Sequence, residues 1–248
     1  MSHSSFVSPN TGRPVRAVLF DTFGTVVDWR SGIAQQVDAF AAERNLPLNG
    51  LAFADTWRGG YYPAMAKIKS GERDYTPLDV LHRENLENAF SAHGVDPKSI
   101  SAGDVDRLNH AWEHLPGWDD SIEGLTRLKS RYVVGPLSNG NTALLVNMGK
   151  NASLPWDVVI GLDLLRTYKP NPDAYLGAAR LLRLEPGEIM LAAAHNYDLK
   201  AAREAGFATG FILRATEHGP DQTTDLEAAA DWDISVSSII ELAEELKV

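Results

Sequence analysis

Apolar and polar positions follow two rhythms along this chain, and the change of rhythm divides it. Ala17-Val18-Leu19-Phe20 is a short unbroken apolar run, the pattern of a strand buried on both faces of a parallel sheet. From Trp29 the spacing becomes helical. Ile33, Val37, Phe40 and Ala41 share one face behind Ser31, the expected N-cap. After a break over 45–50, Leu51, Ala54, Trp57, Tyr61, Met65 and Ile68 trace a second helix, with a weak point at Gly59-Gly60. Thr76-Pro77 opens a third helix, with proline in its first turn, and His93-Gly94 closes it. A fourth runs from about 101 to 114. No strand pattern occurs between Trp29 and Leu115.

Beyond Pro116-Gly117-Trp118 strand and helix patterns alternate. Strands are predicted at 132–137, 158–160, 189–193, 208–213 and 234–236. Helices are predicted at 121–130, from 141 to about 150, at 171–182, 199–205 and 238–246, with a further short one at 223–230. Repeated strand–helix units joined by right-handed crossovers give a doubly wound parallel sheet. The expected fold is therefore α/β: a Rossmann-like core over 15–29 and 116–248, a helical cap over 30–115, and a loose polar tail over 1–14. The cap enters directly after the first strand, so it should cover that strand's carboxyl end, exclude water there and supply substrate contacts.

Composition narrows the function. A formal net charge of -10 argues against nucleic acid and anionic membranes, which attract basic surfaces. It leaves room for a small anionic substrate in a local basic pocket. The absence of cysteine removes disulfides, thiol nucleophiles and thiolate metal sites. No apolar run is long enough to span a bilayer, and the polar start does not read as a signal peptide. A cytoplasmic location is the simplest expectation.

Polar groups recur where predicted strands end. Asp21 follows the first strand, and Gly24 and Thr25 shape the turn behind it. Ser138-Asn139 follows a middle strand, His195 to Asp198 a later one, and Lys169 precedes a helix. Open α/β sheets bind ligands at these carboxyl ends. Singly, each has a plain reading: Asp21 and Asp198 as caps, Ser138-Asn139-Gly140 as a turn, Lys169 as a surface lysine. Converging on one edge, they support nucleophilic catalysis by Asp21, with Lys169 as counter-charge and Asp198 as general base for water. His195 fits a structural hydrogen-bonding role and a site role equally. His82, His93, His110 and His114 show no metal-ligand spacing, and most should be exposed.

The ordered set of Asp-x-x-Gly-Thr after a first strand, Ser-Asn after a middle strand, Lys-Pro before a helix and a late acidic turn resembles the haloacid dehalogenase superfamily. The resemblance covers nearly all the chain beyond the tail. Most members are magnesium-dependent phosphatases, with a second aspartate two residues after the nucleophile and an acidic pair in the late motif. Here Phe23 and Ala193-Ala194-His195 stand at those places, which removes oxygen ligands a hard cation needs. The remaining pattern resembles the L-2-haloacid dehalogenase branch, which needs neither metal nor cofactor. That resemblance implies hydrolysis of short 2-haloacids, in a range reaching fluoroacetate-sized substrates, to 2-hydroxy acids through an ester on Asp21. Asp198 with Lys169 would direct water, and Thr25 and Ser138 would orient the nucleophile and substrate. Arg58 and Asn139 would receive halide; Arg73 and Arg83 are the other cap arginines open to that role. Tyr175 matches a tyrosine near the lysine, and His195, Thr22 and Phe23 complete the expected substrate contacts. The rival readings are a magnesium-dependent phosphatase or phosphonate-type hydrolase, and an inactive binding member. A homodimer is expected, from the frequency of symmetric pairs and the aromatic-rich cap.

Overall fold

The computed structural model describes residues 5–248. Among them, six strands form one sheet: β1 (Ala17–Phe20), β2 (Val133–Ser138), β3 (Ile160–Gly161), β4 (Ile189–Ala193), β5 (Ala208–Ile212) and β6 (Ile234–Val236). The spatial order is β3-β2-β1-β4-β5-β6, and every neighbouring pair is parallel. The winding reverses between β1 and β4, where a crevice opens at the strands' carboxyl ends. Phe20 pairs with Pro136 on one side and Ala192 on the other, so the chain leaving β1 emerges between the ends of β2 and β4.

The alternation of side chains along each strand makes two cores. Val18 and Phe20 join Val134, Met190 and Ile212 under α6 (Ser121–Lys129) and α10 (Ile239–Glu245). Ala17 and Leu19 face the other way, with Leu137, Leu191 and Phe211 under α8 (Pro172–Leu182) and α9 (Asn196–Glu204). The remaining core helix, α7 (Thr142–Asn151), follows β2.

Of the α-helices between β1 and β2 in the chain, the first five precede α6: α1 (Trp29–Arg44), α2 (Gly50–Gly59), α3 (Tyr61–Lys69), α4 (Leu78–Ala92) and α5 (Ala102–Asn109), followed by a 3₁₀ turn at His110–His114. They form the cap. Its interior holds Phe53, Trp57, Phe90 and Trp112 and is continuous with the first core. Trp57 meets Trp112 edge-on, with centroids 5.3 Å apart. No helix of the described residues is long and apolar enough to cross a membrane.

Several local expectations are corrected. The N-cap of α1 is Asp28, whose carboxylate accepts from the Ser31 N–H at 3.0 Å; Ser31 already lies inside the helix. The single helix expected across 51–68 is two, α2 and α3. Gly60 at the joint is packed so closely on Asn85 that a Cβ would fall 2.6 Å from its Cγ. Pro77 is the N-cap of α4, one residue before the first turn. Residues 223–230 are not helical. Asp225 has φ +55°, and this stretch is tied to Asn196, whose Oδ1 accepts from Ala229 N at 2.9 Å and whose Nδ2 donates to Asp225 at 2.8 Å. The part of the expected loose tail within the described residues folds back on the core. Val7 bridges Pro14, and Ser8 is buried with its hydroxyl 2.5 Å from Asp233 Oδ1. Residues 1–4 of that expectation lie outside the described residues.

Candidate active site

The segments that follow five strands, β1 to β5, build the site at the carboxyl edge of the sheet. The first is the turn after β1. Thr22 O accepts from both Val26 N and Val27 N, which curls residues 21–27 over the end of the strand and aims Thr25 back at Asp21. The Thr25 hydroxyl lies 3.0 Å from Asp21 Oδ2 and itself accepts from Ala194 N at 2.9 Å. Gly24 makes the curl possible. Its φ is +86°, and a Cβ there would lie 2.0 Å from Glu217 Oε1. Gly24→Ala is expected to cost about 1–2 kcal/mol for the left-handed backbone alone and to displace Glu217. A lowered thermal midpoint together with reduced turnover would register both.

The side chains converge on Asp21. Lys169 Nζ stands 3.4 Å from Asp21 Oδ1 and 2.6 Å from Asp198 Oδ2, and its side chain is 2% exposed. Tyr175 donates to Asp198 Oδ1 at 2.5 Å. Asp198 lies in the first turn of α9 rather than at its N-cap, which is His195. His195 Nδ1 is 3.0 Å from Asp21 Oδ2 and Nε2 is 2.8 Å from Glu217 Oε2. Glu217, on the loop after β5, also accepts from Trp29 Nε1 at 3.0 Å. Sequence reasoning missed Glu217 and Trp29. Glu217 follows a strand's carboxyl end as the other site residues do, so the same rule extended to β5 would have found it.

These contacts set the charges. Burial opposes ionisation of Asp21, but Lys169 and His195 outweigh it and hold the carboxyl well below its ordinary range. Burial and the Asp21 charge raise Asp198, with Lys169 pulling the other way. Lys169 is raised because its two carboxylates more than offset desolvation. His195 is raised well above an ordinary imidazole, with Glu217 and Asp21 overcoming the burial penalty. Asp21 thus stays ionised into strongly acidic solution, and both cations beside it stay charged past neutrality.

The other expected site residues surround this cluster. Asn139 accepts from the Lys169 backbone N–H at 2.8 Å and donates to the Tyr61 hydroxyl at 2.6 Å. The Arg58 guanidinium lies over Tyr61 at 4.2 Å, Trp29 at 5.4 Å and Phe23 at 5.6 Å from the ring centroids, and its buried Nη1 has no hydrogen-bond partner. Arg73 and Arg83 are instead paired, Arg73 with Glu84 and Arg83 with Glu87 and Asp106, which leaves Arg58, of these three arginines, available to an anion. Ser138 is fully buried and accepts from Gly140 N at 3.2 Å; its hydrogen bonds do not reach Asp21. Thr22 is buried, with its hydroxyl unpartnered. Arg58, His195, Glu217 and His218 line a cleft of about 330 Å³ between cap and core.

One histidine expectation needs adjustment. His82 is buried, stacked on Trp112 with centroids 4.3 Å apart, and neither ring nitrogen has a partner; burial and nearby Arg58 push it well below its ordinary value, so it is neutral. His195, Glu217 and His218 bring ligand-type atoms within 4.8 Å of one another. Both His195 nitrogens already face carboxylates there, so the cluster reads as an ion-pair chain.

A parallel sheet with an acidic group at the end of its first strand, a lysine and a second carboxylate behind it, and helices inserted over the opening define the haloacid dehalogenase-like class. A family model described as haloacid dehalogenase-like hydrolase matches residues 15–206, and the chain belongs to that family. It is 30% identical over 203 residues to (S)-2-haloacid dehalogenase 4A of Burkholderia cepacia, covering 81% of this chain and 84% of that protein. Among solved structures it resembles the defluorinating L-2-haloacid dehalogenase Rha0230, with TM-score 0.97, 56% identity, and coverage of 98% and 100% of the two chains. It also resembles the L-2-haloacid dehalogenase PA0810, with TM-score 0.88, 44% identity, and coverage of 94% and 98%. A phosphoglycolate phosphatase of Thiobacillus denitrificans is 24% identical over 220 residues, covering 87% of this chain and 91% of that protein.

Proposed function

We propose that this chain is a 2-haloacid dehalogenase that replaces the halogen of short 2-haloalkanoates with hydroxyl through an ester on Asp21, without a metal. The observation that carries the reading is the pairing of an ionised Asp21 with an unsatisfied cap cation. Arg58 is a permanent charge in an aromatic enclosure, with one buried nitrogen lacking a partner, where screening is weak and an anion is strongly favoured.

Asp21 Oδ1 attacks the halogen-bearing carbon from behind. The carbon–halogen electron pair leaves with halide toward Arg58 and Asn139, and an ester forms. Ser138, with Thr22 and its unpartnered hydroxyl, supplies donors for the substrate carboxylate. Water then adds to the ester carbonyl carbon and gives one proton to Asp198. The adduct expels the product alkoxide, which takes a proton from Lys169, and Lys169 regains it from Asp198 across 2.6 Å. Asp21 releases its remaining proton to solvent, so haloacid and water become hydroxy acid, halide and a proton. The substrate range includes haloacetates, fluoroacetate among them, as the description of Rha0230 as defluorinating suggests.

The donor set speaks for chemistry without a metal. The positions beside Asp21 are filled by the cations Lys169 and His195, and Phe23 supplies neither an acid nor a metal ligand. The test is halide release from chloroacetate, bromoacetate, fluoroacetate and both 2-chloropropionate enantiomers, in excess chelator. Chelator-insensitive release supports the reading. Phosphate-ester hydrolysis that appears only with magnesium would replace it with a phosphatase. Arg58→Ala is expected to lower kcat on the order of 10²-fold, more for chloride than for bromide because chloride is the poorer leaving group. Equal rates in the variant would move the halide site elsewhere.

The chain is further proposed to act as a homodimer. Trp57, Tyr61 and Trp112 are buried within one protomer, so the proposal rests on the frequency of symmetric pairs, with exposed Tyr62 the remaining aromatic cue on the cap. Sedimentation would decide it.

A further inference from the structure

The two oxygens of Asp21 are not equivalent. Oδ2 has two donors at 3.0 Å, the Thr25 hydroxyl and His195 Nδ1. Oδ1 has the longer 3.4 Å contact to Lys169. The less encumbered Oδ1 is the better nucleophile and becomes the alkylated oxygen of the ester. Oδ2 is then the ester carbonyl oxygen, and it becomes the oxyanion when water adds.

His195 has a carboxylate at each nitrogen, Asp21 at 3.0 Å and Glu217 at 2.8 Å. Ionised carboxylates only accept hydrogen bonds, so the ring satisfies both only when it carries both protons. Glu217 is held for this task. It is 2% exposed, Trp29 Nε1 donates to its other oxygen, and Gly24 leaves the space it fills.

We propose that Glu217 is a positioning residue that holds His195 as an imidazolium, and that His195 Nδ1–H with the Thr25 hydroxyl forms the oxyanion hole for hydrolysis of the Asp21 ester. The proposal rests on the dehalogenase reading and adds to it a residue and a division of labour between its two steps. During alkylation, negative charge leaves Asp21, so a cation at Oδ2 gives no help there. During hydrolysis, charge builds on Oδ2, and a preorganised charged donor gains strength as it forms. The water added to the carbonyl carbon loses its proton to Asp198, and the alkoxide is expelled as before, so His195 donates a hydrogen bond throughout and transfers no proton.

The groups facing His195 fix the direction of the pH effect. Asp21 approaches from the end of β1 and Glu217 from the loop after β5. Tyr197 stacks on the ring from its own helix, with centroids 5.7 Å apart. Arg58, Asp55 and His218 line the adjoining cleft. The two carboxylates dominate, and the imidazolium persists above an ordinary histidine's range. In the ester Asp21 carries no charge, so Glu217 alone sustains the imidazolium there, and hydrolysis should fall as pH rises through the value that Glu217 sets. Removing the Glu217 charge should bring the fall to lower pH.

The experiment compares wild type and Glu217→Gln with bromoacetate across pH. Bromide release is followed in time, and the Asp21 peptide is weighed by mass spectrometry after acid quench. At neutral pH the wild type should turn over with little ester present. Glu217→Gln should release about one equivalent of bromide in a burst, then turn over on the order of 10²-fold more slowly, with the ester accumulated on Asp21. Its alkaline limb should lie at lower pH, and Glu217→Asp should restore much of it. Wild type alone provides a second measurement, because ester should accumulate above its own alkaline limb. A variant with the wild-type pH profile, or slowed turnover without ester in either protein, would overturn the proposal while leaving the dehalogenase reading in place. No bromide from wild type would overturn both.

Discussion

Asp21→Asn is expected to abolish halide release, by a factor on the order of 10⁴ or more, as for loss of a covalent nucleophile elsewhere. An amide keeps the shape and the acceptor for Thr25 but lacks the negative charge that displaces halide. The fold should persist, because each neighbouring cation keeps a second carboxylate: Lys169 retains Asp198 at 2.6 Å and His195 retains Glu217 at 2.8 Å. A thermal midpoint within a few degrees of wild type, with no halide detected, is the expected pair of results. The sign of the pH effect follows from the lowered carboxyl. Asp21 contributes stability above its ordinary value of 3.8 and loses it as pH falls toward its lower folded value. The stability gap between the two proteins should therefore narrow in acid. Single-turnover reaction of the wild type in ¹⁸O-water gives an independent check. The product hydroxyl should carry ¹⁶O from Asp21, whereas direct attack by water would place ¹⁸O there and remove the nucleophile role.

Lys169→Met should damage both activity and stability. The lysine is buried between two carboxylates, and methionine leaves both without their shared cation. Breaking a buried ion pair from one side costs about 3–5 kcal/mol, and turnover should fall on the order of 10³-fold through loss of proton delivery and substrate orientation. Asp198, already raised by burial and by Asp21, loses the one charge that lowers it. The folded variant then binds a proton more tightly than its unfolded chain, so it should gain stability relative to wild type as pH falls. Denaturant midpoints at several pH values measure this. A deficit independent of pH would mean that the lost contacts are packing alone.

The fold was legible because its signals are local. Unbroken apolar runs marked buried parallel strands, and four helical stretches without a strand marked the cap. Asp21, Lys169 and Asp198 were legible for a different reason, as polar residues at strand or loop ends that the parallel winding must gather on one edge. What stayed hidden depended on long-range pairing. Asp198 and Glu217 stand as equally good acids in the sequence, but only the three-dimensional contacts give one to Lys169 and the other to His195. Residues 223–230 have helical composition, yet Asn196 draws their backbone into another path. Ser8 is buried with its hydroxyl bonded to Asp233, at the far end of the chain, a partner that its sequence neighbours do not announce.

The insertion of the cap after β1 separates the proposed chemistry by address. Asp21, Lys169, His195, Asp198 and Glu217 all belong to the core, whereas Arg58 brings its charge from α2 in the cap. On the proposed roles, the apparatus that breaks the ester belongs to one layer, and the charge that receives the departing ion comes from the other, with Asn139 assisting from the core. Substitutions in α2 and α3 can then retune which carbon–halogen bond is broken without disturbing the step that regenerates the enzyme. Descendants of such a chain can diversify toward new halogenated acids one layer at a time, keeping a working hydrolase at every stage.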